Sequence, residues 1–395
     1  MKKLFLYISS QWWGMLLLGA IPLFIFFLPT LIGRTIVSRE AFLYHLPYVF
    51  EYQAALRSGS SFLWHGLNAG GFPVYTTIVG FFSPLHLLVY YLFPAIYAFH
   101  WLIFFGLVGA YFFTAKLLKE FGVSSGGALL GGLTYVFSQV WFNQSVINTN
   151  GVFFYPFFIW ILWRRVKHPT WLWSFVSVIV LSLAWFSVIY PTVVFVLVAG
   201  FFFTCFASWY VARERGEYGR TRQVIVRAII WYLVIVLIAT AIGSIQLWPV
   251  FLTSIGSNRV NLIYPELSEH PFIPIDVVRF LLPYFELPLG VPFGSGGVEV
   301  NIYLGVIPLL LLLYGIYSKS LLARFSVFIL AFSLAIAFWY SPFFWLMSKI
   351  PILNVLRGPS RWLFMGALGV GLLVGLGFDR YLRREGSARE SIFLS

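Results

Sequence analysis

Residues 34 to 73 set two acids and several bases directly behind the first strongly apolar segment: Arg34, Arg39 and Glu40, then Glu51, Arg57 and His65, ending on Gly70-Gly71-Phe72-Pro73. A carboxylate such as Glu40, at the edge of a membrane and followed by an interfacial helix and a Gly-rich turn, can act as a general base toward a substrate that arrives from lipid. The alternative for Glu40 is a solvated loop acid or a partner for Arg34 or Arg39, and the residues leave both readings open. Glu51 joins Glu40 only through folding. Near the other end of the chain, LRGPSR places Arg357 and Arg361 around Gly358-Pro359, so no single regular helix contains both. Pro359 and Ser360 instead open a new helix, setting exposed backbone donors beside two guanidinium groups, which makes an anion site; ordinary headgroup contact is the other reading. His45, His65 and His86 share the first polar segment, but their spacings fit no local metal motif, so hydrogen-bonding or interfacial roles are expected and no metal or cofactor is called for.

The elements that hold these residues follow from composition. Of 395 residues, 60% are hydrophobic and 10% charged, with a mean hydropathy of +0.88. A soluble domain carries about a quarter charged residues, so the expectation is an all-α integral membrane protein. Aromatics reach 21%, which suits lipid-facing helices and interfacial belts. The net charge of +13 does not indicate nucleic acid, because the basic residues sit between hydrophobic segments and form no basic domain. The single Cys205 lies in an apolar run, which excludes an intramolecular disulfide framework and a cysteine-cluster metal site. The N-terminal apolar run is longer than a secretory signal core and is read as an uncleaved first span.

A span needs about 20 apolar residues, and Lys and Arg collect at inner ends. On that basis ten spans are expected, at 11–33, 96–116, 126–142, 152–166, 170–188, 190–210, 225–247, 302–317, 323–340 and 362–378, with both termini cytoplasmic. The short, Pro-bounded segment 79–94 is read as a re-entrant or interfacial helix. Eighteen of the 26 basic residues then fall at inner ends. The outer segments 34–95, 248–301 and 341–361 hold seven of the 13 acids, and the remaining acids pair with cytoplasmic basic clusters. Residues 1–380 are expected to form one transmembrane domain and 381–395 a short cytoplasmic basic tail. The polar chemistry faces outward.

Several short segments follow one another along the chain: Arg39-Glu40, Pro47, Arg57-Ser58-Gly59, Trp64-His65, Gly70-Gly71-Phe72-Pro73 and Ser83-Pro84-Leu85-His86. GGLTYVFSQ (131–139), IYPT (189–192), QLWPVFLTSIGSNR (246–259), NIYLGVIPLLLLL (301–313) and LRGPSRWLFMGALGVGLLVGLGFD (356–379) continue the series. Their order resembles that of the YfhO-type bacterial membrane proteins of the GT-C superfamily of polytopic glycosyltransferases. The chain departs from that pattern at Arg39, where an acidic element is usual, and at His65, where an Asn is usual.

The resemblance implies a GT-C-like fold in the cytoplasmic membrane and transfer of a sugar from a polyprenyl-phosphate donor to a cell-envelope glycan, lipid or protein. Glu40 is then the base, Arg357, Arg361 and Arg259 hold the lipid phosphate, and Arg57 and His65 join the substrate site. Tyr264 and Glu266 in the second large loop are acceptor contacts, unless that loop is only a structured cap. Inverting transfer without a metal is the simpler expectation. A transporter or flippase for lipid-linked sugars, or a family member without catalysis, is the competing reading. Near-absence of charged residues within the spans and lack of a visible inverted repeat weigh against a carrier.

Overall fold

The computed structural model describes residues 12–34, 46–66, 70–73, 80–138, 151–187, 190–255, 272–282, 303–338, 341–350, 356 and 358–393. Nearly all of them are helical, as expected of a chain whose backbone polar groups must be satisfied without water: a helix pairs its N–H and C=O groups within one segment. The helices are α1 (Trp12–Leu31), α2 (Leu46–Ser58), α3 (Pro84–Leu92), α4 (Ala95–Glu120), α5 (Ser125–Phe137), α6 (Gly151–Lys167), α7 (Trp171–Ser187), α8 (Tyr190–Glu214), α9 (Thr221–Ile255), α10 (Val306–Ile316), α11 (Leu321–Ala337), α12 (Pro342–Met347) and α13 (Leu363–Phe393). A two-residue ribbon, β1 (Trp64–His65) and β2 (Phe72–Pro73), interrupts the first polar segment.

Each of the ten apolar segments named from sequence contains a helix, yet their lengths differ from ten full crossings. Among the described residues five helices are long and apolar enough to cross a membrane, and up to six if a bent pair counts as one span. That indicates a multi-pass membrane protein. Helix α5 has 13 residues and α10 has 11, about 20 and 17 Å against a hydrocarbon core of about 30 Å. Helices α10 and α11, expected as two antiparallel spans, instead turn through 116° at a short break. The segment around 79–94 forms the nine-residue α3, opened by Ser83 in extended conformation and Pro84 in the first turn, and too short to span. Helix α13 continues through the basic residues after 380 as far as Phe393, in a run that no Pro interrupts.

The chain divides into two compact units interleaved in sequence, Met1–Ala20 with Ala110–Phe142 and Leu262–Ser395, and Ile21–Gly109 with Asn143–Asn261. In the first, α13 packs against α5, α10 and α11. Glycines let the backbones touch. A β-carbon on Gly127 would stand 2.6 Å from the Gly375 carbonyl oxygen, and one on Gly131 equally close to that of Gly371. The contact is reciprocal, since β-carbons on Gly371 and Gly375 would each stand 2.8 Å from the facing oxygen on α5. The spacing of four residues on both helices is the small-residue pattern of close membrane crossings. On its α10 side, Gly377 of α13 faces the Leu311 carbonyl more closely still.

Asp379 closes this crossing. Its carboxylate accepts the Ser124 amide at 2.7 Å and the Ser124 hydroxyl, while the Ser124 hydroxyl accepts the Gly127 N–H at 3.1 Å and caps α5. An acid at a helix N-terminus is favoured by the helix dipole. The solvated charge pairing expected of the inner acids is therefore not Asp379's role. Tyr111 of α4 reaches the Met15 carbonyl at 2.8 Å.

In the second unit α6, α7, α8 and α9 form a bundle. Trp185 donates to the Thr240 hydroxyl at 3.2 Å and Tyr232 to the Leu197 carbonyl at 2.6 Å, so its polar tips meet partners inside the bundle.

The seam predicts an asymmetry between glycines. Gly375→Ala gains about 1 kcal/mol of helix propensity but crowds the Gly127 carbonyl, and overpacking of this kind costs about 1–3 kcal/mol. Thermal unfolding in detergent should show a lower midpoint for Gly375→Ala, whereas Gly219→Ala, with open space around it, should leave the midpoint unchanged. Equal midpoints would remove the seam from its role.

Candidate functional site

The first polar segment folds as a clamp built by α2, the ribbon and α3. Helix α2 buries Leu46, Val49, Tyr52, Gln53 and Ala55 and exposes Arg57, a helical spacing that lays one face on α3. Gln53 locks the pair. Its amide nitrogen donates to the Tyr90 carbonyl at 2.6 Å and to that of Phe93, and its oxygen accepts the Ala95 N–H at 2.8 Å. Tyr52 donates to the Phe81 carbonyl at 2.7 Å. Ser187 of α7 hydrogen-bonds Ser83 at 2.8 Å, tying the clamp to the bundle.

The ribbon pairs Trp64 with Pro73 and His65 with Phe72. Gly71 turns the chain at φ +93, and a β-carbon there would stand 2.7 Å from the Trp64 indole. Both facts demand glycine. The ribbon thereby brings His65 to Glu51, two turns before the end of α2. The Glu51 carboxylate pairs with His65 Nδ1 and accepts the Gly66 N–H, at 2.9 Å to Oε1 and 3.2 Å to Oε2. Tyr48 and Phe72 sit edge-on to the imidazole, with ring centroids 4.3 and 5.2 Å away.

This pair lies in the wall of a cavity of about 350 Å³, lined also by Ser58, Ser60, Ser61 and Trp64. His65 is 1% exposed, and among the described residues its Nε2 has no hydrogen-bond partner. In the tautomer with the proton on Nδ1 facing the carboxylate, Nε2 carries a lone pair. A buried lone pair left unmet is costly, so it is suited to a hydroxyl or a water. The carboxylate orients the ring.

Of the residues singled out from sequence, His65 stands at the cavity. Arg57 is exposed in the last turn of α2. Arg361 is half-buried in the 3₁₀ turn Pro359–Trp362, which follows Gly358 at φ +82 and leads into α13. Ser360 in that turn is fully buried, which does not fit the expectation of exposed backbone donors: the turn packs against α11, where Ser333 donates to the Trp362 carbonyl. Glu40, His45, Arg259, Tyr264, Glu266 and Arg357 lie outside the described residues. Glu51 was seen from sequence only as a second acid needing folding to bring it anywhere. No spacing signal connects it to His65, because a turn and a ribbon separate them.

In the second large loop Asp276 and Arg279, both buried, form an ion pair with Nε to Oδ1 at 3.0 Å. Asp276 Oδ2 also accepts the Ile273 N–H at 2.9 Å, and Phe272 bridges to Phe338. Among the described residues no group of three or more His, Cys, Asp and Glu could hold a metal ion. No protein-family model matches the chain, and no curated protein matches it.

Two outcomes follow. Glu51→Ala strands the Gly66 N–H and the imidazole, and loss of charge-assisted hydrogen bonds costs about 1.5–3 kcal/mol; Glu51→Gln, which still accepts from Gly66, should lose less in thermal unfolding. Burial lifts the Asp276 carboxyl above its ordinary 3.8, against the lowering effects of the Ile273 N–H and Arg279. The folded chain then holds this proton more tightly than the unfolded chain, so stability present at low pH is lost as pH rises from 3.8 through the raised value. Asp276→Asn should flatten that fall in a pH series of unfolding midpoints.

Proposed function

We propose that the chain is a membrane glycosyltransferase, moving a sugar from a polyprenyl-phosphate donor to a cell-envelope acceptor at the outer face of the cytoplasmic membrane. The observation that carries the reading is the Glu51–His65 pair in the wall of a cavity within the first polar segment, the segment in which the resemblance to GT-C enzymes begins. This reading retains the ten-span layout with both termini inside. The acceptor oxygen bonds to the anomeric carbon as the bond from that carbon to the phosphate oxygen breaks. The bonding electrons leave with polyprenyl phosphate, and the acceptor proton passes to a base.

Glu40 is that base, and Arg357, Arg361 and Arg259 steady the leaving phosphate. His65 Nε2 accepts a hydrogen bond from a sugar hydroxyl, held in the right tautomer by Glu51. A polyprenyl donor keeps its tail in lipid, which suits a site next to the first apolar helix.

Reconstituted protein given polyprenyl-phosphate hexoses should consume donor. Glu40→Gln should lose about 10²–10⁴-fold in kcat, the usual contribution of a general base. His65→Gln should raise KM about tenfold with a smaller change in kcat, as expected when a ground-state hydrogen bond is lost. Equal rates for Glu40→Gln and wild type would remove Glu40 as base. Absence of turnover with every donor would favour transport of lipid-linked sugars.

A further inference from the structure

A second cavity, of about 470 Å³, opens in the α6–α9 bundle, away from the first polar segment in sequence. Three arginines line it: Arg165 from α6, Arg215 just beyond α8 and Arg227 from α9, with Glu217 as the one acid among its lining residues. Two of the guanidinium groups are held in place. Arg165 donates through Nε to the Ser174 hydroxyl at 2.6 Å and lies 5.2 Å over the Trp231 ring, and Arg215 donates to the Lys167 carbonyl at 2.9 Å. Each guanidinium has five N–H donors, so these bonds leave others for a ligand. Three positive groups around one cavity, against one carboxylate, repel one another unless an anion sits between them.

The rest of the wall is apolar, with Leu162, Val166, Tyr232 and Ile235 beneath the arginines. From there α9 runs on with exposed apolar residues on the side that faces the cavity: Trp231 is 42% exposed, Ile238 44% and Ile242 43%. Exposed Trp171, of the kind that sits at headgroup level, is at the rim. A compact phosphate would meet the arginines alone. A molecule that joins a phosphate to long acyl chains would meet both the arginines and the apolar face of α9. We infer that this cavity binds the phosphate headgroup of an anionic membrane lipid, with its chains laid along α9. The layout proposed above puts this end in the inner leaflet, where anionic lipids are enriched.

The test uses the full chain purified in neutral detergent, with phosphatidylglycerol, phosphatidylcholine and inorganic phosphate as separate probes, read by native mass spectrometry and by unfolding midpoint. Phosphatidylglycerol should be retained and raise the midpoint, and phosphatidylcholine should bind at least about tenfold more weakly. Arg227→Gln, at an exposed arginine, should hold or raise the lipid-free midpoint by relieving the repulsion among the arginines and weaken phosphatidylglycerol about tenfold, the size of one charge-assisted hydrogen bond. Arg222→Gln, on the same helix outside the cavity, should bind as wild type does. Equal binding of the two lipids, or an Arg227→Gln variant that binds like wild type, would overturn the site. Stabilisation by inorganic phosphate equal to that by phosphatidylglycerol would overturn the lipid assignment in favour of a soluble phosphate compound.

Discussion

The close crossing of α13 with α5 and α10 is the contact on which the first unit rests. Apolar surface gives little net attraction between helices when lipid is equally apolar, so association depends on van der Waals approach and hydrogen bonds. Glycine at 127, 131, 371 and 375 removes the side chains that would hold the backbones apart. With the backbones in contact, Asp379 can reach the start of α5 and accept both polar hydrogens of Ser124. The crossing and the cap support each other: a residue larger than glycine would lift the helix and pull the carboxylate off its donors.

The first polar segment is organised by a different rule. It lacks a long apolar face, and its order comes from side chains that satisfy the backbone of neighbouring elements. Gln53 meets three backbone groups around the α3–α4 junction, and Tyr52 meets a fourth at Phe81. Those bonds orient the face of α2 that carries Tyr48 and Glu51. The ribbon then delivers His65 and the Gly66 amide to the carboxylate. Each partner of Glu51 is thus positioned by another element, which is why the pair can be steady at the wall of a cavity.

The two cavities have opposite chemistry. One holds a carboxylate, an imidazole and several hydroxyls, suited to hydroxyl groups. The other combines arginines with an apolar wall, suited to a phosphate attached to hydrocarbon. Under the proposed function the first would receive hydroxyls of the sugar. The second fits a permanent lipid that fills the bundle where like charges gather.

Much was legible in the residues. The deficit of charge and the long apolar runs dictated an all-helical membrane protein, since a chain without water at hand must pair its backbone within each segment. Pro84 and the brevity of 79–94 foretold a short α3, and Gly358-Pro359 foretold a break before the last helix. The clustering of polar residues in the first polar segment pointed to the region in which the carboxylate–imidazole pair lies. Pattern did not reveal that α10 and α11 turn by 116° or that α5 is too short to cross alone, because hydropathy records composition and not the direction of an axis. Nor did it join Glu51 to His65. That contact depends on the angle at which α2 leaves Gln53's anchor and on the register of a two-residue ribbon. Local propensity cannot specify such quantities, which packing between distant segments sets.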